Sequence, residues 1–184
     1  MDKLPPQDQV VAVDYFVVNH VEMDHTGSLP WLIEQLAPGK IVTSKRGQEA
    51  LVQHFGPEEC ERWDILAVGT GDEISLGRYT LSFLEAPMLH WPDSMFTYIK
   101  EPHVLLPNDA FGQHLAGSHR FADQMDMNLV MEEAVTYFAN ILMPFAGQIT
   151  KMIQKVIDMG LEIDILGPSH GVVWRRREDI DAII

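Results

Sequence analysis

The sequence predicts a layered α/β protein, and three observations predict it. Short runs rich in β-branched and aromatic residues, each bounded by Gly, Pro or Asp turns, recur as far as Leu106. Segments with apolar residues at three- and four-residue intervals lie between and after them, so helices and strands share one layered arrangement. The 184 residues, 46% hydrophobic and 22% charged, are enough for one sizeable core and little more.

The elements follow in order. Val10 to Val18 is an apolar run that reads as a buried strand. Ser28 to Leu36 is a short helix ended by Ala37-Pro38-Gly39-Lys40, and Ile41-Val42-Thr43 is the next strand. Lys45 to Phe55 has helical spacing and stops at Gly56-Pro57. Ile65 to Val68, Glu73 to Leu76 and Tyr79 to Ala86 are strands separated by Gly69-Thr70-Gly71-Asp72 and Gly77-Arg78. Met95 to Lys100 and Val104 to Leu106 flank Glu101-Pro102-His103 as a hairpin. Asn128 to Met143 and Phe145 to Met159 are two helices divided at Pro144. Ile163 to Leu166 is a last strand, and Arg175 to Ile184 starts a terminal helix.

Composition excludes some functions. A formal charge of −14, from 13 basic and 27 acidic residues, argues against nucleic acid or an anionic membrane as partner. Cys60 is alone, which leaves no intrachain disulfide, no Cys-x-x-Cys pair and no thiolate zinc cage, and suits a reducing compartment. Met1 to Gln9 lacks the basic start and apolar centre of a signal peptide. No apolar stretch approaches the ~20 residues a bilayer span needs. The expectation is a soluble chain.

The chemistry concentrates in His20-Val21-Glu22-Met23-Asp24-His25, four metal-capable side chains within six residues. The cluster follows a strand and precedes Thr26-Gly27-Ser28, so a loop turns its side chains toward one point. Two imidazoles and two carboxylates suit iron, manganese or zinc better than copper. Three further candidates, His90, Asp109 and His170, each follow a predicted strand. Seven groups exceed one ion's needs. His20, Glu22 and His90 would hold one metal, and Asp24, His25 and His170 the other. Asp109 would bridge, because a carboxylate has two oxygens. Ligand bonds of ~2.0–2.2 Å and a metal separation of ~3.5–4 Å set the scale. Each candidate taken singly also fits a cap or a satisfied core residue, Asp24 as a helix cap in particular. The joint pattern favours metal. His54, His103, His114 and His119 lack it and read as surface or structural residues, although the polar loop of His114 and His119 leaves a pocket-lining role open without support.

These residues resemble the metallo-β-lactamase superfamily, whose hallmark is a His-x-His-x-Asp-His loop followed by single His, Asp and His ligands. Glu22 stands where the hydrolases have their second histidine, and His-x-Glu-x-Asp-His is similar to the flavodiiron proteins. Asn108 to His114, Tyr137 to Phe145 and Pro168 to Arg175 agree with that family, and the resemblance covers nearly the whole chain. A carboxylate is a harder donor than imidazole and favours the ferric state, which suits a redox site over a zinc hydrolase.

The resemblance implies a metallo-β-lactamase-like αββα sandwich over residues 1–184, a single diiron domain that is partial at its N-terminus and carries no flavodoxin-like domain in this chain. It implies two iron ions cycling between Fe2+ and Fe3+, held by His20, Glu22, Asp24, His25, His90, Asp109 and His170. The position of His25 is not always a ligand in the family, and Tyr137 fits a pocket role or a core role equally. The implied activity is reduction of O2 to water or of NO to nitrous oxide. Electrons would come from FMN on a partner chain or absent domain, through a flavodoxin-like subunit, a rubredoxin or a flavin reductase. A cytoplasmic homodimer is implied as well. The alternatives are a zinc-dependent hydrolase on the same scaffold and an inactive gene fragment.

Overall fold

The structure, a computed structural model, describes residues 13–184; the polar lead Met1 to Gln9 and the expected strand start at Val10 to Ala12 lie outside the described residues. Two compact units divide the chain, one ending at Val68 and one running from Gly69 to Ile184.

The first unit is built on three parallel strands: β1 (Tyr15–Val18), β2 (Lys40–Ser44) and β3 (Ile65–Val68), in that order. Val17 lies opposite Val42, and Val42 opposite Leu66. Parallel neighbours need crossovers, and helices supply them. Between β1 and β2 the chain makes a one-turn helix α1 (Met23–Thr26) and then α2 (Leu29–Leu36). The sequence led us to expect only a loop before Ser28. Helix α2 stops where Ala37 turns left-handed (φ 42) and its N–H donates to the Ile33 carbonyl.

Helix α3 (Lys45–Phe55) matches the predicted bounds, and the Ser44 hydroxyl caps it by accepting from the Gly47 N–H at 2.9 Å. Gly56, at φ 84, ends it without the strain a side chain would add there. Pro57 then opens a second short helix, α4 (Pro57–Cys60), that the sequence reading did not anticipate. The reason is physical: a proline that terminates one helix is pre-organised for the first turn of the next. Val18, Val21, Leu29, Ile41, Leu51 and Trp63 form the core of this unit.

The second unit carries five strands in the order β4 (Glu73–Ser75), β5 (Thr80–Glu85), β6 (Met95–Ile99), β7 (Val104–Leu106) and β8 (Ile165–Leu166). The first four pair antiparallel, β5 and β6 through the longer connection 86–94 that carries His90, and β8 joins β7 in parallel. That last pairing brings residue 166 beside Leu105, so the loops after β7 and after β8 leave the same end of the sheet. Phe83, Leu84, Phe96, Leu105 and Leu166 are buried. Full burial of one such side chain contributes roughly 1.5–3 kcal/mol.

Helices α5 (Met127–Tyr137), α6 (Ala146–Asp158) and α7 (Arg177–Ile183) complete the unit. The expected helix to Met143 leaves α geometry at Tyr137, where a π-helical turn (Phe138–Leu142) and a 3-10 turn (Met143–Phe145) carry the chain into α6. Pro144 sits in the first turn of that 3-10 segment, where its missing N–H costs nothing. Among the described residues no helix is long and apolar enough to cross a membrane.

Candidate metal centre

The seven predicted ligands fall into two sets, four in the first unit and three in the second. In the first unit β1 ends at Val18, and the chain turns through His20 and Val21 into α1. Val21 is wholly buried and anchors the turn in the core. The Thr26 hydroxyl donates to the Val21 carbonyl at 2.9 Å, and the Thr43 hydroxyl on β2 donates to the Val18 carbonyl at 2.8 Å. Strand end and helix start are therefore tied to each other and to the sheet.

On that frame the imidazole of His20 is buried, with Nε2 3.3 Å from Glu22 Oε2. Asp24 lies in the first turn of α1 and does not serve as the N-cap of α2; that position is Ser28. His25 Nε2 stands 3.5 Å from Asp24 Oδ1. The two imidazoles are neighbours, with ring centroids 5.4 Å apart and planes tilted by 49°. One turn of helix, rather than the open loop expected, aims Asp24 and His25.

In the second unit Asp109 is the centre of its set. Its carboxylate is 1% exposed. Oδ2 lies 3.3 Å from His90 Nε2, and Oδ1 lies 3.2 Å from His170 Nε2. One oxygen therefore serves each imidazole, which is the disposition a bridging carboxylate needs. His90 comes from the turn after β5, Asp109 from the turn after β7, and His170 from the loop after β8.

The loops are held to one another by polar contacts. Asn108 sits in the left-handed region (φ 58), its Nδ2 donates to Asp109 Oδ2 at 3.3 Å, and its Oδ1 accepts from the Ser169 hydroxyl at 3.1 Å. The Ser169 N–H donates to the Asn108 carbonyl at 2.8 Å. Gln113, fully buried, accepts from the Val172 N–H through Oε1 at 2.8 Å and donates from Nε2 to the Phe111 carbonyl at 2.6 Å. Met88 and Phe111 also adopt positive φ (both 66), so the turns carrying His90 and Asp109 each hold a strained residue.

Two residues carry more than their sequence context indicates. His114, for which the polar loop alone gives no support to a pocket role, has its ring 4.8 Å from Tyr137 and 5.9 Å from His170. Tyr137 is itself buried, with its ring 6.0 Å from that of His170. Gln113 was passed over because a glutamine carries no metal chemistry; its position between Asp109 and His114 was the available signal. His54 is exposed on α3 beside Phe55, and His103 pairs with Asp164 at 3.0 Å; neither belongs to a ligand set.

The α/β fold, with histidines and carboxylates gathered after its strands, is metallo-β-lactamase-like. Residues 3–171 match the family model described as ODP family beta lactamase, and the chain belongs to that family. It is 47% identical to the nitric oxide reductase of Moorella thermoacetica over 95% of this chain and 43% of that protein. Among solved structures it resembles the rubredoxin oxygen:oxidoreductase of Desulfovibrio gigas, with a TM-score of 0.89 and 40% identity over 92% of this chain and 42% of that one. The flavodiiron protein of Giardia intestinalis superposes with a TM-score of 0.86 at 38% identity, over 97% and 42% of the two chains. The chain thus spans about two fifths of the length of these relatives. The expected flavodiiron resemblance and the α/β metallo-β-lactamase-like fold are both borne out.

Proposed function

We propose that the two ligand sets act together as one dinuclear iron centre within a single domain, with His20, Glu22 and His90 at one ion, Asp24, His25 and His170 at the other, and Asp109 bridging. The observation that carries this reading is Asp109, a buried carboxylate with each oxygen turned to a different imidazole. The donor set fits the metal: four imidazoles and three carboxylates are borderline-to-hard donors, which suit iron in both oxidation states. Iron held there would supply the redox chemistry that reduction of O2 or NO needs. The chain's own residues hold the ions, neutralise their charge with Glu22, Asp24 and Asp109, and keep the imidazoles oriented through the Asn108, Ser169 and Gln113 contacts.

The activity is an oxidoreductase reaction, reduction of O2 to water or of NO to nitrous oxide. The names of the relatives support it: one is a nitric oxide reductase and another a rubredoxin oxygen:oxidoreductase. Electrons come from FMN on another domain or chain, or from a rubredoxin or flavin reductase; a cytoplasmic homodimer is the working assembly. A zinc hydrolase is the second reading, favoured by the beta lactamase description of the family. Glu22 in place of histidine opposes it.

Anaerobic reconstitution with ferrous iron, followed by metal analysis, tests the proposal. Two irons per chain are expected, with Asp109→Ala losing both and His54→Ala keeping both. Equal iron loss in the two variants, or preferential zinc uptake with ester or thiolester turnover, would overturn it.

A further inference from the structure

We propose that an apolar recess in the second unit is the access and holding site for a neutral diatomic gas, an inference that rests on the diiron reading above. The recess has a volume of about 500 Å³ and lies among α5, α6, α7 and the sheet. Its depth and its mouth are different in kind. Leu89, Phe96, Leu105 and Ala110 form the inner wall and are buried, whereas Val135 and Ile157 at the rim are 63% and 62% exposed. An open mouth therefore leads to a closed, apolar interior.

Position connects this interior to the ligands. Leu89 and Ala110 are the chain neighbours of His90 and Asp109, and all four belong to the same unit. Tyr137 lines the recess and lies with its ring 6.0 Å from that of His170. Gly112 lets the tyrosine sit there: a Cβ on residue 112 would come within 3.1 Å of Tyr137 Cζ. The tyrosine ring is thus a thin partition between the recess and the histidine.

Chemistry selects the occupant. The charged groups in the wall, Arg177 and Asp181, are paired with each other at 2.9 Å on α7, so the lining offers a charged ligand no uncompensated partner. An anionic substrate would lose its hydration there without replacement. Water is weakly held in such surroundings, and apolar cavities lined by Leu, Ile and Phe take up small apolar solutes such as xenon. O2 and NO are small, neutral and weakly hydrated. A gas held against Leu89, Ala110 and Tyr137 is already beside three of the proposed ligands.

Xenon is the probe, read by methyl NMR on the full chain without metal. Saturable shifts confined to methyls of the recess, such as Ala134, Leu142, Met152 and Ile153, are expected. Ala134→Trp and Ile153→Phe each fill the space from a different helix and should abolish those shifts. In the iron-loaded chain, supplied with reduced flavin, the same variants should raise KM for O2 or NO about fivefold while kcat and iron content hold, the signature of lost substrate binding. Scattered or absent xenon shifts in the unsubstituted chain would overturn the proposal, as would filled variants with unchanged KM. Shifts that follow protein concentration instead of xenon would mark the recess as a contact between copies and also overturn it. Xenon binding in a chain that takes up no iron would sink the diiron reading alone.

Discussion

Gln113→Met isolates what fixes the loop that carries His170. Methionine matches the glutamine in length and lacks both polar atoms, so packing is largely kept while two hydrogen bonds vanish. The losses are unequal. The Phe111 carbonyl loses the Gln113 Nε2 donor at 2.6 Å but retains the Trp174 Nε1–H at 3.4 Å. The buried Val172 N–H donates to Gln113 Oε1 at 2.8 Å, and the substitution strands it. A stranded buried N–H costs about 1–3 kcal/mol, and the lost bond to Phe111 adds about 1 kcal/mol, giving roughly 2–4 kcal/mol in all.

Urea unfolding of the metal-free chain measures this, provided the slope m is unchanged and only the midpoint moves. Gln53→Met, on the exposed face of α3, is the control and should stay within about 0.5 kcal/mol. A Gln113→Met loss no larger than the control would refute the reasoning. The His170 loop would then be held by its backbone bonds, such as that from the Gln113 N–H to the His170 carbonyl at 3.2 Å.

Three other outcomes are expected. Gly171→Ala should destabilise by more than about 2 kcal/mol in thermal melts, since residue 171 has φ 84 and a Cβ would lie 2.2 Å from Gln113 Oε1; a near-neutral result would count against the placement of Gln113. The hydroxyl and N–H of Thr80 both donate to Glu101 and hold its carboxyl below the usual carboxylate range, so its contribution is present above the unfolded value and is lost as pH falls through the folded one. Thr80→Val should raise the Glu101 midpoint in an NMR titration and move that loss to higher pH. Burial, with Glu59 adding to it, pushes the Cys60 thiol up, so a disulfide reagent at mildly alkaline pH should react slowly with the native chain and rapidly after denaturation.

Much of this fold is legible in the sequence because its signals are local. The bounds of α3 follow from the Ser44 cap and Gly56, and the eight strands among the described residues fall within predicted strand segments or overlap them. The candidate site residues stand out for the same reason: His90, Asp109 and His170 each follow a strand, where a turn is required. What escaped is what local pattern leaves ambiguous. Pro57 and Pro144 read as breaks, and each opens a new helical turn. Asp24 and His25 read as loop because four residues carry too little periodicity to announce a helix. The roles of Gln113 and His114 depend on partners far along the chain, at Val172 and His170, which no window of sequence contains.

Asp109 shows why the placement of these side chains is a property of the chain itself. Its turn contains Asn108 and Phe111 in the left-handed region; asparagine tolerates it, whereas for Phe111 the conformation costs of order 1–3 kcal/mol and persists only where surrounding contacts over-determine it. Those contacts are identifiable: Asn108 with Ser169, Gln113 with Phe111 and Val172, Trp174 with Phe111. The bonds of Asn108 with Ser169, Gln113 with Val172 and Trp174 with Phe111 link the Asp109 turn to the His170 loop, and the parallel β7–β8 pairing sets both loops at one end of the sheet. The strain is thus spent on holding a carboxylate between two imidazoles, an arrangement with no use to the hydrophobic core. A segment that folded for stability alone would relax these turns. That they are clamped instead, from several directions, shows that the second unit pre-organises His90, Asp109 and His170, as the proposed metal site requires.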